Sequence, residues 1–77
     1  MTLELFGTRW CPYTAEVRQQ LEWDGTPFVE YDIESDQGAR KRLIELTGSA
    51  TYVPVLVEDG NIAQVGWQGR SCFVGDP

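Results

Sequence analysis

The stretch Thr8-Arg9-Trp10-Cys11-Pro12-Tyr13-Thr14 decides how the rest of the chain is read. It follows an apolar alternation at Leu3 and Leu5 and precedes a segment with helical spacing, so Cys11 stands where a strand hands over to a helix. Pro12 suits the first helical position, because its fixed φ fits there and its missing N–H would have no intrahelical partner. Cys11 is then the N-cap. Its sulfur faces the free amide groups of the first turn and the positive end of the helix dipole. Both favour a thiolate over a thiol, and the thiolate is the nucleophile. Arg9, just upstream, brings a further positive charge.

Outward from this point the elements follow from periodicity. Thr2 to Phe6 reads as a strand, with Leu3 and Leu5 on one face, Glu4 on the other, and Gly7 and Thr8 breaking it. A helix runs from Pro12 to about Asp24 on Val17 and Leu21, with Tyr13 and Thr14 a turn earlier. Glu16, Arg18, Gln19 and Glu22 face water, and Asp24-Gly25 closes the helix. After Pro27, Phe28 to Tyr31 is a second strand. Ser35 is expected to cap a second helix with Asp36 in its first turn, carried by Ala39, Leu43 and Leu46 with Ile44 beside them and ended by Gly48. Val53 to Val57 is the most apolar strand, interrupted by Pro54. Glu58-Asp59-Gly60-Asn61 is a hairpin turn and Ile62 to Val65 the returning strand. From Gly66 the chain (GWQGRSCFVGDP) is glycine-rich and reads as an irregular tail.

The order β-α-β-α-β-β implies an α/β domain. Strands joined through a helix are parallel with a right-handed crossover, and the last pair is antiparallel. The expectation is one domain over residues 1–77, a four-stranded mixed sheet covered by two main helices, with residues 66–77 as the tail.

Composition narrows the function classes. A chain of 77 residues buries about 60% of its unfolded surface, so its core is thin. Two cysteines allow at most one bridge, which is no disulfide-stapled scaffold. No charged-then-apolar leader pattern and no run of membrane-spanning length is present, so a cytoplasmic, reducing location without membrane contact is expected. A net charge of −6 with only six basic residues argues against nucleic acid. Without histidine, and with its cysteines far apart, the chain is not expected to bind a metal on its own.

At this point the sequence resembles the glutaredoxin branch of the thioredoxin fold. The resemblance rests on the strand-to-helix CPYT with an aromatic residue before the cysteine, the element order, the Tyr52-Val53-Pro54-Val55 element and the glycine after the last strand, and spans about residues 2–66. The tail wording Gly66-Trp67-Gln68-Gly69-Arg70-Ser71-Cys72 resembles a small glutaredoxin-like group in which some members carry selenocysteine at the nucleophile. The resemblance implies a thioredoxin-like fold and a monothiol thiol–disulfide oxidoreductase. It makes Cys11 the nucleophile that forms a mixed disulfide, often with glutathione, and Pro54 a cis-proline beside it. An X–Pro bond costs only about 0.5–1 kcal/mol to be cis. It leaves the Val53 backbone to bond the peptide part of a thiol substrate, sets Arg9 and Tyr13 against glutathione, and puts the γ-glutamyl end at Gly66. Glutathione or another small thiol and protein disulfides are the implied partners, no resident cofactor is needed, and a monomer is expected.

The departures from the family are specific. The second motif cysteine is replaced by Thr14, whose N–H and hydroxyl are placed to stabilise the thiolate without resolving a disulfide. The second glycine and following Asp are missing after Gly66, and the C-terminal helix is reduced or absent. Cys72 admits three readings: a passive thiol, a resolving thiol for Cys11, or half of a static bridge. The bridge would be worth about 4 kcal/mol by loop entropy, but a reducing cytosol opposes it and places it below the other two.

Other residues are weighed the same way. Arg40 in Arg40-Lys41-Arg42 is the best candidate to reach an acidic substrate; otherwise the cluster is a solvated face with Asp36 and Glu45 at helical spacing. Trp10 shields the sulfur or docks a partner, Trp23 packs at the helix end, and Trp67 covers the sheet in place of the missing helix. Glu30, Asp32, Glu34 and Asp36 alternate as ordinary solvent-facing residues rather than a cation site. Two further functions stand beside disulfide reduction. One is an electron donor to a partner enzyme, recharged by thioredoxin reductase, which needs Cys72 to replace the lost second cysteine. The other is an iron–sulfur carrier sharing a cluster between two chains through Cys11 and two glutathiones, which the stiff Pro12 turn disfavours.

Overall fold

Strand β1 (Leu3–Gly7) is buried along its whole length, and the architecture follows from what meets each of its faces. The structure is a computed structural model that describes residues 3–48 and 52–74. After β1 come α1 (Pro12–Trp23), β2 (Val29–Asp32), α2 (Gln37–Thr47), β3 (Tyr52–Val53), β4 (Val55–Glu58), β5 (Asn61–Val65) and β6 (Cys72–Phe73). The main sheet has the order β2-β1-β4-β5, with β2 parallel to β1 and the other neighbours antiparallel. The expected four-stranded mixed sheet with two helices is therefore formed. Strand ends move by a residue: β1 continues through Gly7, and β2 starts at Val29 and continues through Asp32. Thr2, given as the first strand residue, lies outside the described residues.

Alternation along β1 sorts the core into two layers. Leu3 and Leu5 pack with Val17 and Leu21 of α1, and Phe28, Leu56 and Trp67 close over them. Trp67 thus covers the sheet, as expected. Phe6 points the other way, toward Ala39 and Leu43 of α2 and the Val55 and Val57 side chains of β4. Each fully buried side chain of this kind contributes about 1.5–3 kcal/mol, so neither thin layer can lose one cheaply.

Glu4 shares the face of Phe6. Because helices cover both faces of β1, it is buried rather than solvated. The non-local partner that makes this tolerable is Arg42, which donates from both Nη atoms to the two carboxylate oxygens, Nη2 to Oε1 at 2.6 Å. Arg42 also lies over the Phe6 ring, 5.8 Å from its centroid, and Tyr31 stacks on the same ring at 5.0 Å. The solvated-face reading of the basic cluster is therefore wrong for Arg42. Its hydrogen bonds hold the Glu4 carboxyl below the usual range against the opposing effect of burial. Burial, then the bond to Glu4, pushes the Tyr31 hydroxyl up.

The helix ends confirm one expectation and correct two. Gly48 ends α2 in the left-handed conformation. Asp36, not Ser35, caps it, its Oδ1 accepting the Ala39 amide at 3.0 Å. The Ser35 and Asp36 amides both donate to the Asp32 carbonyl, so the chain is still turning at Ser35. Trp23 is 88% exposed and does not pack at the end of α1. Among the described residues no helix is long and apolar enough to cross a membrane.

The Glu4–Arg42 pair predicts a pH-dependent stability. With its folded pKa lowered, Glu4 stabilises the fold fully above its unfolded value and loses that contribution as pH falls through the folded one. Arg42→Met strands a buried carboxylate, at a cost of about 1–3 kcal/mol at pH 7. Denaturant unfolding at pH 7 and at low pH checks it: the deficit shrinks as Glu4 takes up its proton, and an equal deficit at both would show that the ion pair is not its source.

Candidate active site

Cys11 is the N-cap of α1, in extended conformation (φ −78°, ψ 116°), with Pro12 at the first helical position. Its carbonyl accepts the Ala15 amide at 3.2 Å, closing the first helical turn. The loop before it is tied to the β2–α2 loop at three points. The Gly7 carbonyl accepts the Ile33 amide at 3.0 Å, Arg9 Nε lies 3.3 Å from Asp32, and Trp10 Nε1 donates to Glu34 at 2.8 Å. Of the remaining alternating acids, Glu30 accepts from Arg18 at 2.6 Å and Asp36 caps α2. These carboxylates are exposed or half-buried, as expected of solvent-facing residues, and each also ties one element or loop to another. Among the described residues no group of three or more His, Cys, Asp and Glu could hold a metal ion.

The Cys11 sulfur is bonded to that of Cys72, with the Cα atoms 6.0 Å apart. The passive reading of Cys72 is thereby corrected. What brings it there is a tail that is ordered through residue 74 rather than irregular; residues 75–77 lie outside the described residues. The Gly66 amide donates to the Pro54 carbonyl at 2.7 Å. The chain then reverses through Trp67–Arg70, each amide bonded to the other's carbonyl, at 2.6 and 2.9 Å. Gln68 (φ 52°) and Gly69 (φ 78°) are both left-handed, as a two-residue hairpin turn requires. Gly66 itself cannot carry a side chain, since a Cβ there would lie 2.6 Å from the Arg70 carbonyl oxygen. Beyond the turn, β6 pairs antiparallel with β3, Phe73 opposite Tyr52 and Cys72 opposite Val53.

Pro54 splits the expected mid-chain strand. The Val53–Pro54 bond is cis, so β3 turns toward β6 while β4 enters the main sheet. Cys11, Val53, Cys72 and Val74 share one buried cluster, with Tyr13 packed against it. Phe73 points outward, its ring edge-on to Tyr52 with centroids 5.8 Å apart. Cys11 is 1% and Cys72 8% exposed, so the tail closes the site in this oxidised form.

Several predicted residues have other uses here. Arg9 is exposed and paired with Asp32 rather than lending its charge to the sulfur alone. The Val53 backbone is paired with Cys72, and the Gly66 amide is spent on Pro54. Arg40 is half-buried on α2. Thr14 is buried, but its hydroxyl has no partner among the described residues and Cys11 receives no side-chain cap bond. The Thr14 side chain instead lies over Gly7, where an added Cβ would be 2.6 Å from its Oγ1. Sequence reasoning missed Tyr52 and Phe73 as a pair; their only signal was two aromatics flanking the elements that carry Val53 and Cys72.

The sequence model of the glutaredoxin family matches residues 3–63, which include Cys11 and Pro54 but not Cys72. Among solved structures, the thioredoxin-like protein BC3987, in a mutant form, is 28% identical and superposes with a TM-score of 0.78 over 87% of this chain and 83% of its own. The glutaredoxin of Archaeoglobus fulgidus, 20% identical, gives 0.73 over 86% and 75%. A buckwheat glutaredoxin in complex with glutathione, also 20% identical, gives 0.66 over 82% and 59%. At that identity the last two speak for the thioredoxin-like fold alone. No curated protein matches the chain.

The unpartnered Thr14 hydroxyl gives a direct test of local packing. Thr14→Val keeps the shape and removes a buried polar group that otherwise costs about 1–3 kcal/mol. The oxidised protein is expected to unfold at equal or higher denaturant concentration. A clear loss of stability would mean that the hydroxyl is bonded.

Proposed function

This chain belongs to the glutaredoxin family, and we propose that it reduces disulfides by a two-cysteine exchange in which Cys11 attacks and Cys72 resolves. The observation that carries the reading is the bond between an N-cap cysteine and a tail cysteine beside the cis-proline bend. Thiol–disulfide oxidoreductase chemistry is what the family performs; the pairing of these two cysteines is the part specific to this chain.

Once the pair is reduced, the Cys11 sulfur lies at the start of α1, where the Tyr13 and Thr14 amides and the helix dipole favour the thiolate. It attacks one sulfur of a substrate disulfide; the other sulfur leaves and takes up a proton. Cys72 then attacks the Cys11 sulfur of the mixed disulfide. The substrate's second sulfur departs as a thiol, and Cys11–Cys72 closes. No strong acid or base is required, since exchange depends on thiolate fraction, leaving-group pKa and access. To restart the cycle an external thiol must open the closed pair, and Cys72 is the more exposed of the two. Glutathione is the proposed external thiol, and Arg9 and Tyr13 are the residues that the family resemblance sets against it. A second reading gains from the same bond: with Cys72 replacing the missing second motif cysteine, the chain offers the two-electron pair that thioredoxin reductase would need. The cluster-carrier reading gains nothing, because it requires the sulfur that Cys72 occupies.

Single substitutions separate these steps. Cys11→Ser abolishes turnover of a small disulfide. Cys72→Ser performs one attack and, without glutathione, stalls as a mixed disulfide visible by intact mass. In the reduced Cys72→Ser protein, alkylation against pH gives one titration between about 3.5 and 7.5. A titration above 8, or unchanged turnover without glutathione in Cys72→Ser, overturns the scheme. Assays driven by glutathione and by thioredoxin reductase decide the reductant.

A further inference from the structure

Strand β3 is two residues long, and its ladder partner is β6. The segment Ser71-Cys72-Phe73-Val74 therefore does more than deliver a sulfur. It lies extended and antiparallel on Tyr52–Val53, with Cys72 and Val74 buried and Phe73 turned outward onto the Tyr52 ring. When Cys72 is released and the segment lifts, Cys11 is uncovered together with an unpaired strand edge and an exposed aromatic face. Backbone groups left without partners must find new ones. Whatever next bonds to the Cys11 sulfur meets the same edge and the same ring.

We propose that Tyr52 is a specificity-determining residue: of the extended polypeptide disulfides that dock on the β3 edge, it selects those whose cysteine is followed by an aromatic residue, which packs on its ring as Phe73 does. The tail is the built-in occupant of that groove. The inference rests on the redox reading of Cys11 and on the strand-like docking beside Pro54 that the family resemblance implies, and adds the side chain that the site prefers. Tyr52 and Phe73 are 53% and 62% exposed, so their contact does little for the core, yet they meet edge-on at 70°. Exchange balances as follows. The Cys11 thiolate bonds to the sulfur of the Cys-aromatic segment, and that segment's former partner leaves as a thiolate and is protonated. Cys72, having lost its proton, bonds to Cys11 and expels the segment as a thiol. Two electrons pass from the Cys11–Cys72 dithiol to the substrate disulfide, and two equivalents of a small thiol restore the dithiol. As Cys72 arrives, β6 retakes the edge, so resolution and release of the peptide coincide.

The test uses the full-length reduced Cys72→Ser protein and three probes. These are acetyl-Ser-Cys-Phe-Val-amide, acetyl-Ser-Cys-Ala-Val-amide and glutathione, each as its mixed disulfide with 5-thio-2-nitrobenzoate. The leaving group is common, so its rate of release reports docking of the peptide. The Phe peptide is expected to react about twofold to tenfold faster than the Ala peptide, the range given by an edge-to-face aromatic pair. The ratio falls to about one when Tyr52→Ala is added. Equal rates for the two peptides, or a ratio untouched by Tyr52→Ala, overturn the proposed specificity while leaving the exchange chemistry in place. If all three probes react no faster than with free cysteine, the redox reading itself fails, and this proposal with it.

Discussion

The bond between Cys11 and Cys72 joins the first turn of α1 to a two-residue strand across a sequence separation of 61. Closing a loop of that length removes about 4 kcal/mol of unfolded-state freedom in the chain-entropy account. Set against the 5–15 kcal/mol typical of a whole domain, that is a large share for a chain whose core is divided into two thin layers. The oxidised and reduced proteins therefore differ in more than two electrons. In the oxidised form Cys72 and Val74 complete the layer on the α2 side. Reduction removes the covalent tie and leaves the segment held by a short ladder, the burial of Cys72 and Val74 and one exposed aromatic contact.

The two cysteines are held very unequally, and the rest of the site explains why. Cys11 is fixed from behind. Its loop is fastened to the β2–α2 connection by Asp32, Glu34 and the Gly7 carbonyl, and its helix is packed through Val17 and Leu21 onto β1. Each surface tie is worth only about 0–1 kcal/mol, but three on one loop restrict the sulfur to one place. Cys72 arrives instead on a strand after a tight turn, beyond the Gly66 to Pro54 hydrogen bond and the packed Trp67 ring. In the proposed exchange this is a sensible division of labour between Cys11 and Cys72, since only one of them has to move aside for substrate.

Much of this was legible in sequence, for identifiable reasons. Cys11 as N-cap, the stop at Gly48 and the Asp59-Gly60 turn are local: each depends on one residue whose backbone preference is narrow, whereas the cis bond at Pro54 was implied by the family resemblance alone. The misses are of two kinds. Some are contests between near-equals, as at Ser35 and Asp36, where the Asp32 carbonyl decides by accepting both amides. Others are non-local. Glu4 and Arg42 stand 38 residues apart, and nothing in either neighbourhood announces the other. The tail combines both problems, because Gln68 is an uncommon residue at positive φ and the strand it launches exists only through β3.

Under the proposed exchange, Thr14 shows what a resolving cysteine placed outside the motif achieves. A thiol at that position, one turn into α1, would resolve a mixed disulfide from within the helix and leave any peptide still paired with β3. Thr14 is buried against Gly7 and does nothing to the sulfur in the closed state. With the resolving thiol on β6, in the exchange proposed above, the attacking sulfur and the competing strand arrive as one body. Hydrogen bonds lost by the departing peptide are remade by the chain itself, so release costs the β3 edge little. The counterpart is that the closed pair is hidden. In the proposed scheme, reopening it falls to a reagent small enough to reach the more exposed sulfur, Cys72, and so displace Cys11 at the start of α1.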